Sequence, residues 1–80
     1  MDRAPEIEEE EYRQSLLRRS LALVEPEFSP KIWRGFYLTV VEGRTPLAVA
    51  NDLGTTVNAI YLGRARVLRR LREVLQDLLE

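Results

Sequence analysis

The chain has 80 residues, 45% of them hydrophobic and 31% charged, with a net charge of −1, a balance that fits one small globular domain over residues 1–80 and excludes a disordered tail. It contains neither cysteine nor histidine, which removes disulfides, thiolate metal sites, the usual general base and the commonest metal ligand, so we expect no enzyme, no metal and no other cofactor. No apolar run approaches the ~20 residues of a membrane span, and Met-Asp-Arg-Ala-Pro-Glu is not a secretory signal, so a cytoplasmic protein without a membrane partner is expected.

The elements follow in chain order. From Glu8 to about Glu25, Tyr12, Leu16, Leu17, Leu21 and Val24 recur at three- and four-residue steps, the stripe of an amphipathic helix. The run Glu8-Glu-Glu-Glu suits its start, where carboxylates meet the positive end of the helix dipole. Pro26 ends it, and residues 1–7 are expected to fray. Ser29-Pro30 opens a second helix with a capping oxygen and a proline at the first position, where no N–H is needed. Ile32, Trp33, Phe36, Tyr37, Val40 and Val41 form its apolar face, which we expect to centre the core, and Gly43 closes it. Thr45-Pro46 opens a short third helix that reaches Leu53 and stops at Gly54. Thr56 caps a long fourth helix to about Leu79, whose Ile60, Val67, Leu71, Val74 and Leu78 face inward, with Leu68, Leu75 and Leu79 widening the stripe. No strand pattern appears. The fold class is all-α, a four-helix domain.

Charge is distributed unevenly along the chain. Met1–Pro30 holds eight acidic and four basic residues, and Lys31–Glu80 holds five and eight. Five arginines (Arg64, Arg66, Arg69, Arg70 and Arg72) lie between Gly54 and Arg72 with no acid among them. Arginine presents a planar fork of donors suited to phosphate. A short helix, a glycine turn and a longer basic helix make a helix-turn-helix over about residues 46–72, whose long C-terminal helix is the recognition helix. Ala50 is small enough for a close crossing, Val49, Leu53 and Ile60 fall where apolar contacts are needed, and Gly54 supplies the positive φ of the turn. Two positions depart from the pattern. Thr55 replaces the usual apolar residue, and Gly63 needs either close packing or close DNA approach to offset its ~1 kcal/mol helix penalty.

The segments Val41-Glu-Gly-Arg, Ala48-Val-Ala-Asn-Asp-Leu-Gly and Val67-Leu-Arg-Arg-Leu-Arg carry a family resemblance. From about residue 12 to 79 the chain resembles the C-terminal region 4 domain of bacterial extracytoplasmic-function sigma factors. The resemblance implies recognition of the promoter −35 element in the major groove of double-stranded DNA and docking on the β flap of RNA polymerase, with an anti-sigma factor as a further partner. The family's N-terminal region 2 is missing from this sequence, so we expect a fragment of a larger factor, the other option being a stand-alone relative.

With Ile60 facing the core, Val67 and Leu71 fall within about 20° of it, and Asn58, Leu62, Ala65 and Arg69 face outward, flanked by Tyr61 and Arg66. Asn58 can pair with adenine, and Leu62 or Ala65 can touch a thymine methyl. The resemblance places base contacts at Tyr61, Leu62, Ala65 and Arg66; the family often has Arg or Lys at some of these positions, so its promoter sequence is not carried over. Arg44, Thr45, Thr55 and Thr56, at helix starts, are expected at phosphates, the threonines also as caps. Arg69, Arg70 and Arg72 are expected as phosphate contacts or solvated charges, and Arg64 either snorkels or pairs with an acid of the first helix. Two other functions remain open: a dimeric helix-turn-helix regulator joined through its last helix, and a helical protein-interaction module that does not bind DNA.

Overall fold

The computed structural model describes residues 5–79, which are mostly helical, with no strand among them. Helix α1 spans Pro5–Val24, α2 Pro30–Phe36, α3 Pro46–Leu53 and α4 Val57–Leu79. Of the segment expected to fray, residues 1–4 lie outside the described residues, whereas 5–7 are helical. Pro26 sits inside a 3-10 turn, Glu25–Glu27, that ends α1.

The three later helix starts use one device. The Ser29 hydroxyl accepts from the Ile32 N–H at 3.2 Å, Thr45 from Ala48 at 3.2 Å and Thr56 from Ala59 at 3.0 Å. Each cap contributes about 1 kcal/mol and fixes the first residue of its helix.

The main core joins three helices: Val24 of α1, Trp33 and Phe36 of α2, and Val67, Leu71 and Val74 of α4. The Trp33 and Phe36 rings stack tilted at 46° with centroids 5.1 Å apart. Helix α1 runs antiparallel to α4. Its end packs Val24 beside Val67 and Leu71, while Tyr12, Leu16 and Leu17 share a cleft with Leu75 and Leu79. A smaller core of Val49, Ala50 and Ile60, with Leu38, Leu53 and Val57 against it, fixes α3 on the start of α4. The two cores approach each other at Gly35, where a Cβ would lie 3.1 Å from Ile60 Cδ1.

Several stripe positions are not in the core. Tyr12 and Leu17 are exposed on α1, and the fully buried position beside them is Ser20, whose hydroxyl donates to the Leu17 carbonyl at 2.8 Å. In the second helical segment Tyr37, Val40 and Val41 are exposed, contrary to expectation. After Phe36 the helix widens into one π-helical turn, Tyr37–Val41, which delays its rotation relative to an α-helix. Thr39 then takes the inward position and donates its hydroxyl to the Gly35 carbonyl at 2.7 Å and the Phe36 carbonyl at 3.2 Å. A hydroxyl inserted into the helix ladder is a recognised cause of such a distortion. The segment closes as expected at Gly43, φ +73°, where the Arg44 N–H donates to the Leu38 carbonyl. On α4, Leu79 and Leu68 are exposed and only Leu75 and Leu78 join the packing partly. Among the described residues no helix is long and apolar enough to cross a membrane.

Candidate nucleic-acid interface

The turn between α3 and α4 is closed by backbone bonds. Gly54 holds φ +65°, the Thr55 N–H donates to the Ala50 carbonyl at 2.9 Å, and the Ile60 N–H donates to the Thr56 carbonyl at 3.1 Å. Buried Ala50 and Val49 lie directly against Ile60, so the short helix crosses behind the first turns of the long one. Lys31 of α2 reaches the carbonyl end of α3, its Nζ 3.5 Å from the Gly54 oxygen. At Gly63 a Cβ would meet Ile32 Cγ2 at 3.3 Å. Position 63 therefore faces α2, and close packing accounts for the glycine.

Helix α4 divides cleanly into two faces. Ile60, Gly63, Val67, Leu71 and Val74 are buried. The opposite strip carries Asn58, Tyr61, Leu62, Ala65, Arg66 and Arg69, all exposed, with Leu62 59% and Tyr61 47% accessible. The structure thus brings together on one open surface the residues that the helical wheel groups. A surface helix of this width fits the major groove, about 12 Å across.

The arginines behave differently from one another. Arg64 is half-buried and stacks over the Tyr61 ring, 4.8 Å from its centroid. Arg66 lies 6.0 Å over Phe28. Arg70 is held by a fork: its Nε is 2.6 Å from Glu27 Oε1 and its Nη2 3.2 Å from Glu27 Oε2, while Nη1 is 3.1 Å from Glu73 Oε2. The Glu27 hydrogen bond, its charge and Glu73 hold the Arg70 guanidinium above its ordinary pKa. Arg70 is thus engaged within the protein, and of the expected phosphate contacts on α4 Arg69 and Arg72 stand exposed without an ion-pair partner among the described residues. Sequence reading missed Glu27 and Phe28 because they lie 43 and 38 positions before Arg70 and Arg66, a separation that no local pattern encodes.

At the helix starts, Arg44 forms an ion pair with Asp52 across the length of α3. Such an exposed pair is worth about 0–1 kcal/mol, little enough for a phosphate to displace it. Thr45 and Thr56 cap their helices and, since each hydroxyl accepts from an amide, each keeps a proton to donate. Thr55 is half-buried and lines the cleft between α2 and α4 with Ile32, Ala59 and Gly63, away from the outward strip. Among the described residues no group of three His, Cys, Asp or Glu side chains could hold a metal ion.

No protein-family model matches this chain, and no match is found among curated proteins or solved structures.

Proposed function

We propose that this chain binds double-stranded promoter DNA in transcription initiation, reading the −35 element in the major groove as a sigma-factor region 4 domain and docking on core RNA polymerase. One observation carries the proposal: a Gly54 turn packs α3 behind α4 and leaves Asn58, Tyr61, Leu62, Ala65 and Arg69 on the face opposite buried Ile60, Val67 and Leu71. In this reading α4 enters the groove, Asn58 and its outward neighbours meet base edges, and Arg69 and Arg72 neutralise phosphates. Arg44, Thr45 and Thr56 hold the flanking phosphates with the free N–H groups of the helix starts. The protein acts by binding and carries no catalytic residue, and its place of work is the bacterial cytoplasm.

The test is selection from a library of short duplexes at low and at physiological salt, beside an Arg66→Ala, Arg69→Ala double variant. Enrichment of one short motif, with binding weakened by the variant and by salt, is the expected result. Failure to bind any duplex at low salt overturns the proposal in favour of a protein-interaction module. Titration with core polymerase tests docking separately.

A second reading, the dimeric helix-turn-helix regulator, draws support from the exposed Tyr12, Leu17 and Leu79 where α1 meets the end of α4. Sedimentation equilibrium distinguishes the two, because a free region 4 domain is expected to be monomeric.

A further inference from the structure

We infer that α4 reads the 5-methyl group of thymine, with Leu62 as the residue that senses it and Asn58 selecting a nearby adenine. This inference rests on the DNA reading proposed above and specifies what that surface recognises.

The argument begins with what the outward strip lacks. Guanine is most often read by a bidentate Arg or Lys. Across Val57–Gly63, the part of α4 nearest the turn, there is no charged residue. Of the next arginines, Arg64 lies half-buried over the Tyr61 ring and Arg70 sits in the Glu27 fork, while Arg66, exposed and 6.0 Å over Phe28, lies about 14 Å along the helix from Val57. Arg69 is unengaged but lies about 18 Å along the helix from Val57, at 1.5 Å per residue. What the leading turns do offer outward is Asn58, Tyr61, Leu62 and Ala65.

Leu62, 59% exposed on the face opposite Ile60, puts a large apolar side chain in the open, and Tyr61 stands next to it, half exposed with Arg64 over its ring. The groups flanking that strip define the occupant. No acid occurs between Gly54 and Arg72, and Arg69 and Arg72 flank the strip exposed. A surface that is apolar along its middle and positive at its edge complements a groove with apolar features on its floor and phosphates at its rims. On the floor of the major groove the apolar feature is the thymine C5-methyl, while Asn pairs with the N6 and N7 edge of adenine. Asn58 and Leu62 are one helical turn apart, about 6 Å along α4, so both can meet base pairs of one short element.

The experiment takes the best duplex from the library selection and replaces its thymines one at a time with deoxyuridine, which removes the methyl and keeps base pairing. Each duplex is titrated with the unaltered chain and with Leu62→Ala. For the unaltered chain we expect a loss of roughly fourfold at one or two thymines, the value of one buried methyl at ~0.8 kcal/mol. For Leu62→Ala the thymine and deoxyuridine duplexes should bind alike at the same position. Leu62 is exposed, so the variant should fold, and its thermal melt verifies this. Sequence-specific binding that is indifferent to every deoxyuridine, a selected motif without thymine, or an unchanged thymine preference in Leu62→Ala would each overturn the inference and leave DNA reading intact. Absence of binding to any duplex overturns both.

Discussion

Gly63→Ala is the most direct perturbation of how α4 is seated. Replacing an interior helix glycine by alanine ordinarily stabilises by about 0.8–1 kcal/mol. Here the new Cβ would stand 3.3 Å from Ile32 Cγ2, closer than ordinary van der Waals contact, so Ile32 must withdraw by a few tenths of an ångström. We set that repacking at about 0.5–1 kcal/mol, below the 1–3 kcal/mol of inserting a whole methylene into a tight core, because Ile32 is only half-buried beside an open cleft. The two effects nearly cancel, and the variant should unfold within about 0.5 kcal/mol of the unaltered chain. In an Ile32→Ala background the obstacle is gone, and Gly63→Ala should recover close to the full ~1 kcal/mol. The double-mutant cycle therefore predicts a coupling of about 0.5–1 kcal/mol. Urea midpoints with an unchanged slope give these values, and a thermal melt should show the 4–8 °C per kcal/mol of a domain this size. A full gain in the unaltered background with no coupling to Ile32 would refute the packing account of Gly63. A loss of duplex binding with stability unchanged would refute it too, pointing instead to contact between position 63 and DNA.

Gly54→Ala should destabilise by about 1–2 kcal/mol, because φ +65° brings a Cβ against its own backbone although no neighbour is close, and Gly54→Asn should cost less; chemical denaturation measures both. Leu71→Ala should cost about 2–5 kcal/mol, a large part of the ~4–12 kcal/mol expected of a domain this size, and should leave a visible unfolded fraction in near-ultraviolet circular dichroism at 37 °C. Arg69→Gln should reduce the slope of log K against log salt by about one, whereas Arg70→Gln should change it less because Glu27 and Glu73 already hold that guanidinium; equal slope changes for the two would contradict the assignment. Thr56→Ala should destabilise by about 1 kcal/mol through loss of its bond to the Ala59 N–H, read from the same denaturation series.

The outward strip illustrates how far periodicity carries. Once Ile60 faces inward, the 100° step per residue dictates that Asn58, Leu62, Ala65 and Arg69 face outward, and all four are exposed. The same arithmetic misleads in the second helical segment, where it places Tyr37, Val40 and Val41 in the core. The wide turn at Tyr37–Val41 changes the step, and Thr39 turns inward instead.

By itself the sequence determined the helix starts at Ser29-Pro30, Thr45-Pro46 and Thr56, the stops at Gly43 and Gly54, and the buried line from Ile60 to Val74. Each of these depends on residues within about four positions of one another, the range over which a helix makes its own bonds. Tertiary structure alone decided which arginines stay unengaged, why residue 63 is glycine, and that Ser20 and Thr39 are buried while Tyr12 and Tyr37 are not. The first two of those outcomes depend on Glu27 meeting Arg70, Phe28 meeting Arg66 and Ile32 meeting Gly63, contacts across 31 to 43 positions that arise only when the stretch from Glu27 to Ile32 is laid against α4.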